Sequence, residues 1–228
     1  MTLARRALLF GSVASFGPSA TFGPFSPFAT FSTFGVLASA LGSASAWAGS
    51  QVEEPLADAV RSALVAAVAE AAPPRPRFDK MDERLNYLRW LGLASERLKK
   101  RLTENHTRVE FLEAVWYESR RAGLETSLVL GLIQVESGFR KYAISSAGAR
   151  GYMQVMPFWA RLIGNGDERR LFHLQINLRF GCAILRHYLD RERGDVFMAL
   201  GRYNGSRGKP EYPNAVLGAR RVWDVQAV

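Results

Sequence analysis

Apolar residues recur along the chain mainly at the spacing of α-helices. From about Asn105 onward they return every three or four positions, in segments separated by short polar breaks. Two such stripes are Val109, Leu112, Val115 and Trp116, and Leu174, Leu178, Cys182, Leu185 and Leu189. No series of alternating strands is visible in the sequence, and only the Gly-rich region 145–153 allows a small hairpin. The pattern therefore predicts an all-α fold.

The most apolar of the predicted helices ends at a glutamate. Residues 128–135 are almost wholly apolar, and Thr126 or Ser127 is expected to cap the start of this helix. Gly138 is suited to terminate it just past the last turn. Glu136 is therefore expected at the carboxyl end of a buried helix.

The segment before Asn105 predicts two further helices and a linker. Residues 52–72 are rich in Ala and Val and favour one amphipathic helix, which Pro73-Pro74-Arg75-Pro76 ends as a stiff extended linker. Residues 81–103 predict a second helix that packs on the outside of the domain. We therefore expect an extension over 49–104 and a domain over 105–228.

The first 48 residues are typical of an export signal. Arg5 and Arg6 precede a short apolar run, the first acidic residue is Glu53, and small residues before Ala48 suit signal cleavage. Between the apolar run and this cleavage site lies a low-complexity insertion, in which phenylalanine recurs every third residue between positions 22 and 34 with prolines interspersed. Those prolines disfavour a helix that spans a membrane. The mature chain is expected to be periplasmic or secreted, without a stable membrane span.

Composition excludes few of the possible classes of function. The formal charge of +9 favours contact with polyanions but does not choose among nucleic acid, acidic lipid and cell wall, and no nucleic-acid-binding motif is present. Cys182 is the only cysteine and is expected to be a buried structural thiol. The histidines, His106, His173 and His187, lack the paired spacing of metal ligands. We therefore expect neither a disulfide nor a metal site.

Glu136 is the first candidate for chemistry. Its neighbours Leu132, Ile133 and Val135 and the negative end of the helix dipole both disfavour a charged carboxylate, which should raise the pKa of Glu136. A carboxylic acid that stays protonated near neutral pH is what protonation of a glycosidic oxygen requires. Position alone also fits an ordinary surface glutamate at a helix end.

The loop from Ser145 to Met156 is the second candidate. Its small residues allow backbone to approach a ligand, and the amide of Gln154 can both donate to and accept from sugar hydroxyls and amides. Pro157 is suited to open the next helix at its first position.

Three successive motifs together resemble those of the soluble lytic transglycosylase catalytic domain. That family carries E-S-x-[FW], S-x-x-G-A-x-G-x-M-Q-x-M-P and A-Y-N-x-G in this order, and the resemblance covers about residues 105–226. The matching segments are Glu136-Ser137-Gly138-Phe139, the stretch Ser145 to Pro157, and Tyr203-Asn204-Gly205. A further match is the helix with Asn177, Gly181 and Tyr188.

The resemblance implies a lysozyme-like helical domain with a glycan-binding cleft and a single acid/base catalyst, Glu136. It implies that Tyr203 points its hydroxyl toward Glu136 and that Asn204 chiefly holds the turn. The residues expected to contact the glycan are Ser137, Ser145, Met153, Gln154, Met156, Tyr203 and Asn204.

Three positions depart from the family pattern and put details of sugar binding in doubt. Tyr152 stands where the family usually has Leu, and Arg202 and Ser206 replace small residues beside the Tyr-Asn pair. Several aromatic side chains could stack on sugar rings, although aromatic residues in such a domain belong to the core more often. These residues are Tyr152, Phe158, Trp159 and Tyr212.

The implied activity is cleavage of the β-1,4 bond between N-acetylmuramic acid and N-acetylglucosamine in peptidoglycan, with a 1,6-anhydromuramoyl product and no cofactor. A lysozyme-type hydrolase is the first alternative, and it usually needs a second carboxylate. The next acid after Glu136 is Asp167, so such a partner would have to come from a distant residue such as Asp195 or Glu211. A non-catalytic glycan-binding module of an export apparatus is the second alternative.

Overall fold

The computed structural model describes residue 51 and residues 53–69 and 76–225. The predicted leader, residues 1–48 with the phenylalanine-rich run, lies outside the described residues, as does most of the proline linker. All described residues belong to one compact unit. Their α-helices are α1 (Asp58–Val68), α2 (Met81–Leu98), α3 (Asn105–Arg121), α4 (Thr126–Glu136), α5 (Pro157–Ile163), α6 (Leu174–Arg191), α7 (Val196–Asn204) and α8 (Glu211–Trp223), and a short 3₁₀ helix covers Glu168–Phe172.

The all-α prediction is confirmed for the part of the chain that the structure describes. The region expected to allow a hairpin contains two isolated bridges, Ile144 with Arg150 and Arg150 with Val155, and no strand. No helix among the described residues is long and apolar enough to cross a membrane.

The core forms around α4 and α6, which have buried residues along most of their length. The stripe predicted on α6 faces this core, as do Leu112 and Val115 of the stripe predicted on α3, and Cys182 is buried there as a free thiol. Burial raises the pKa of the Cys182 thiol far above its ordinary value, so this residue is an inert structural thiol.

Helices α4 and α8 pack with their backbones in close contact. A Cβ atom at Gly131 of α4 would lie 2.6 Å from the backbone nitrogen of Arg220 and 3.0 Å from the carbonyl oxygen of Val216, both in α8. Only glycine leaves room for this approach. The approach in turn brings α8 alongside the end of α4, where Glu136 lies.

The helices before Asn105 pack on the same unit. Leu64 of α1 belongs to the hydrophobic core, and Arg121 donates a hydrogen bond to the carbonyl of Ala67. The Trp159 indole nitrogen donates to the side-chain oxygen of Gln51 over 2.8 Å. Helix α1 is shorter than the predicted 52–72 helix, and α2 packs on α3 as expected for an outer helix.

A buried ionic cluster lies between α3 and α6. Glu118 is almost fully buried, and its carboxylate accepts from Arg179 at 2.9 Å and from Arg121 at 3.1 Å, with Gln175 as a further donor. Several donors satisfy both oxygens of this carboxylate, which is the condition under which a buried charge is tolerated.

Helix ends follow the sequence with one correction. Gly138 has a left-handed φ of 58° and its N–H bonds the Gln134 carbonyl, so it terminates α4 as predicted. The predicted Thr126 or Ser127 cap is wrong, because the residue at the cap position is Glu125 and its side chain makes no capping hydrogen bond. The Thr126 hydroxyl instead bonds the Ser119 hydroxyl at 2.8 Å.

Candidate functional site

Glu136 is the last residue of α4 and only 2% of it is exposed. The apolar run before it buries the helix, and the left-handed turn at Gly138 directs the chain away immediately afterwards. The glutamate therefore sits in the protein interior instead of on a solvated helix end.

One hydrogen bond holds the Glu136 carboxyl group. The Tyr212 hydroxyl, from the first turn of α8, donates to Glu136 Oε1 over 2.5 Å. Burial raises the pKa of Glu136 to about 8, and the Tyr212 hydrogen bond opposes this rise. Oε2 has no hydrogen-bond partner among the described residues. The arrangement supplies a carboxylic acid that is mainly protonated near neutral pH and has one oxygen free to transfer a proton.

Tyr203 lies within electrostatic range of Glu136 but makes no hydrogen bond to it among the described residues. Tyr203 is fully buried in α7, and its hydroxyl donates to the backbone carbonyl of Met153 over 2.8 Å. The tyrosine of the Tyr-Asn motif thus fixes the loop before α5, whereas Tyr212 holds the carboxyl group.

Asn177 of α6 holds the loop that contains Met153. Its Nδ2 donates to the carbonyls of Arg150 at 2.8 Å and Leu171 at 2.7 Å, and its Oδ1 accepts from the Met153 N–H at 2.8 Å. A side chain at Gly151 would overlap Asn177, and one at Gly181, a turn further along α6, would overlap Met153. These contacts give a structural reason for the asparagine and glycine spacing seen in the sequence.

Most of the predicted glycan-contacting residues lie inside the wall of the site. Ser137 donates to the Tyr152 carbonyl at 2.7 Å, and the Gln154 amide donates to the carbonyls of Ala143 and Gly151 at 3.1 and 2.9 Å. Met153 is fully buried. Gln154 also has a left-handed φ of 48°, a conformation that its hydrogen bonds help to hold.

The other predicted contacts differ in exposure. Ser145 and Met156 are partly exposed, and the Ser145 hydroxyl accepts from the Ala149 N–H at 3.0 Å. Asn204 is buried and donates to the Ser206 hydroxyl at 2.9 Å, across the turn after α7. The four aromatic residues considered for stacking, Tyr152, Phe158, Trp159 and Tyr212, are all buried, which confirms the core interpretation.

A cavity of about 820 Å³ opens beside the end of α4. Its wall consists of residues 134–138 at the end of α4, one face of α8, and two arginines, Arg101 and Arg140. Glu136 is the only acidic residue among those that line it.

The other acids considered as partners of Glu136 do not line this cavity among the described residues. Asp167 accepts from the Arg169 N–H at the start of the 3₁₀ helix, and Asp195 accepts from the Met198 N–H at the start of α7. Glu211 is exposed in the first turn of α8. Within the described residues, no group of three His, Cys, Asp or Glu side chains is placed to hold a metal ion.

Removal of the Tyr212 hydroxyl should raise the pKa of Glu136 further. A hydroxyl that donates to a carboxylate stabilises the charged form, so Tyr212→Phe favours the protonated form and moves the pKa above its value of about 8. The ¹³C NMR titration of the Glu136 carboxyl carbon measures this change. Tyr203→Phe is the comparison variant, since it loses a buried hydroxyl near Glu136 whose hydrogen bond goes to the Met153 carbonyl and not to the Glu136 carboxyl group. Equal midpoints in the two variants would contradict the role of Tyr212.

Tyr212 is the site residue whose role the sequence does not reveal. The sequence predicts for it either a core position or stacking on a sugar ring, because the sequence gives no direction for its hydroxyl group. Its hydroxyl group and its place in the first turn of α8 can be seen in the sequence. They indicate a contact with Glu136 only when α8 is known to pack on α4.

Comparison with known proteins agrees with the motifs. Residues 113–215 match the family model described as "Transglycosylase SLT domain". Among curated relatives, membrane-bound lytic murein transglycosylase C of Mannheimia succiniciproducens is 49% identical over 59 residues, which are 25% of this chain and 16% of that protein. The protein of the same name from Histophilus somni (strain 2336) is 31% identical over 125 residues, 47% of this chain and 34% of that protein.

A solved structure also aligns with the chain. The X-ray structure of an inactive mutant of the lytic transglycosylase Slt from Pseudomonas aeruginosa gives a TM-score of 0.45 at 21% identity, covering 61% of this chain and 29% of that chain. The chain spans about a third or less of the length of the curated relatives named above. The residues that match the transglycosylase SLT domain, 113–215, include Glu136, the stretch from Ser145 to Pro157 and Tyr212.

Proposed function

We propose that this chain is a peptidoglycan lytic transglycosylase in which Glu136 is the single acid/base catalyst. It cleaves the β-1,4 bond between N-acetylmuramic acid and N-acetylglucosamine and leaves a 1,6-anhydromuramoyl end. The observation that carries the proposal is the buried Glu136 carboxyl group, whose pKa is raised to about 8 and whose Oε2 is unpartnered among the described residues. It lies within the residues that match the transglycosylase domain.

The proposed reaction needs one carboxyl group used twice. Protonated Glu136 gives its proton to the glycosidic oxygen as the bond between that oxygen and the muramoyl C1 breaks. The resulting carboxylate takes the proton from the muramoyl C6 hydroxyl, whose oxygen bonds C1 and closes the ring. The protons balance, no water is consumed, and no cofactor takes part. Tyr212 keeps Oε1 in place throughout, which leaves Oε2 to face the reacting oxygens.

The surroundings of Glu136 favour ring closure over hydrolysis. Glycosidases that use water generally place a second carboxylate about 5 to 9.5 Å from the acid. Among the described residues no other acid lines the cavity beside Glu136, and Asp167 and Asp195 bond the starts of other helices. The C6 hydroxyl is tethered to the reacting sugar and has the high effective concentration of an intramolecular nucleophile.

The products released from purified sacculi test this proposal. We expect a pool dominated by anhydromuramoyl ends, each lighter by one water molecule than the corresponding reducing end, as measured by mass spectrometry. An added lysozyme-type hydrolase provides the reducing-end control on the same sacculi. A pool dominated by reducing ends would support the lysozyme-type alternative, and no release by a folded chain would support a non-catalytic glycan-binding module.

We also propose roles for the rest of the chain. Ser145 and Met156, which are partly exposed, contact the glycan, and Ser137, Met153, Gln154, Tyr203 and Asn204 shape the wall that receives it. Residues 1–48 act as an export signal, so that the mature chain works in the periplasm or outside the cell. Residues 49–104 form an extension of the catalytic domain over 105–228, in a lysozyme-like arrangement.

A further inference from the structure

Two arginines reach the cavity beside Glu136 from separate parts of the chain. Arg101 follows α2 and lies outside the residues that match the transglycosylase domain, whereas Arg140 follows the turn after α4. The Arg101 guanidinium packs 5.8 Å from the centre of the Phe139 ring. Arg140 Nε donates to the Ser137 carbonyl over 2.9 Å. These contacts orient both side chains at the cavity without neutralising either charge.

Among the described residues, no acidic side chain in the wall of this cavity pairs with its two arginines. Neither Arg101 nor Arg140 forms an ion pair among the described residues, whereas the partly exposed Arg186 and Arg220 pair with Asp190 and Glu125. The remaining lining residues apart from Glu136 are neutral. Because burial keeps Glu136 mainly protonated near neutral pH, the cavity carries a net positive charge. Such a cavity attracts anionic groups.

The basic surface continues beyond this cavity. A second cavity of about 390 Å³ shares Arg140 with the first and is lined by residues 140–144. It adds the Lys141 ammonium, which lies 5.4 Å from the centre of the Tyr142 ring, and Tyr142 is 71% exposed. The second cavity therefore adds a further cation and an exposed aromatic ring next to Arg140.

We propose that Arg101 and Arg140 bind carboxylates of the peptidoglycan stem peptide and give the enzyme a preference for peptide-bearing over peptide-free glycan strands. This inference rests on the proposed function. The sugars of the strand are uncharged once the lactyl group carries a peptide, so the free carboxyl groups of that peptide are the anions that accompany the scissile bond. The planar guanidinium fork of arginine matches a carboxylate with two parallel hydrogen bonds.

The test compares two substrates made from the same strands. One retains its stem peptides, and the other has lost them to an amidase, after which the lactyl carboxyl groups that the amidase frees are converted to methylamides so that no new anion remains. For the wild-type chain we expect a higher kcat/KM on peptide-bearing strands and a preference that decreases between about 0.05 M and about 0.5 M NaCl, because salt screens exposed charges. Arg101→Ala/Arg140→Ala should lower the ratio of the two kcat/KM values roughly tenfold, mainly through KM. Arg101→Lys/Arg140→Lys should recover part of it, since the charge stays and the fork is lost.

Lys100→Ala provides the matched control. Lys100 is an exposed cation next to Arg101 that does not line the cavity, so its loss should leave the ratio unchanged. An unchanged ratio in the double alanine variant would overturn the proposal. The proposal would also be overturned if the double alanine variant shifted the pH–rate profile without changing the ratio of the two kcat/KM values. That result would mean that the arginines act on the Glu136 carboxyl group and not on the substrate.

Binding to an inactive chain separates this inference from the proposed function. In a Glu136→Gln background, calorimetric titration with the two kinds of strand measures the preference without cleavage. If the wild-type chain cleaves neither strand, the proposed function fails. The binding preference and its loss in the double alanine variant still support the arginine site, and equal binding of both strands refutes it.

Discussion

Glu136→Gln is expected to remove nearly all release of soluble fragments from purified sacculi while leaving the fold intact. The amide keeps the size and polarity of the side chain, and it can still accept the hydrogen bond from Tyr212. It cannot give or take a proton at the pH of the reaction. General acid/base assistance contributes roughly 10²- to 10⁴-fold, and here one group performs both proton transfers. Glu83→Gln is the matched control, because it removes a carboxylate at an exposed position of α2 and should leave activity unchanged.

The same variant has a stability signature that shows whether it is folded. The pKa of Glu136 is about 8 in the folded chain against an ordinary value of 4.5, so between these pH values the folded state holds a proton that the unfolded state has released. Wild-type stability therefore falls as pH rises from about 4.5 to about 8, and glutamine lacks this dependence. We expect the Tm of Glu136→Gln minus that of wild type to increase over this range. Substantial activity in a variant with this signature would refute the assignment of Glu136.

Gly131→Ala should destabilise the chain by about 1–3 kcal/mol, the range for overpacked interiors. The added Cβ atom would lie 2.6 Å from the Arg220 nitrogen and 2.9 Å from its Cα. Backbone atoms cannot rotate away as a side chain can, so α8 must move away from α4. Urea unfolding measures the loss of stability. Activity should fall as well, because α8 carries Tyr212 and the displacement weakens its hydrogen bond to Glu136.

Gly92→Ala is the matched control for this substitution. Gly92 also lies inside a helix, but a Cβ atom there meets nothing within 4 Å. With no clash, alanine should stabilise α2 by about 0.5–1 kcal/mol through its higher helix propensity. If Gly131→Ala were as stable as Gly92→Ala, the close packing of α4 on α8 would be refuted.

The sequence was most informative where local rules decide the structure. The run 128–135 predicts an apolar helix and Gly138 the left-handed turn that ends it, so the sequence places Glu136 at the end of that helix, whereas the burial of its carboxyl group follows only from the fold. Pro157 likewise marked the start of α5. These features involve neighbours within a few positions.

Contacts between distant residues were the part that sequence patterns did not determine. Tyr203 and Tyr212 lie nine positions apart and both are fully buried, but only the orientation of α7 and α8 decides which hydroxyl meets Glu136. Gln154 is similar, because its amide was available for a ligand until the fold of its loop brought two carbonyls within reach. The predicted Thr126 or Ser127 cap failed because Thr126 found a partner in Ser119 on the preceding helix.

The contact of Asn177 with the loop before α5 limits how this domain can vary in evolution. Asn177 satisfies three backbone groups, and Gly151 and Gly181 leave the space that Asn177 and Met153 occupy. Changes at these four positions are therefore not independent, and their free-energy effects should be non-additive, as is usual for residues in direct contact. A larger residue at position 181 becomes acceptable only with a smaller one at 153. Substitutions here must arise as compensating pairs, so the loop evolves together with α6.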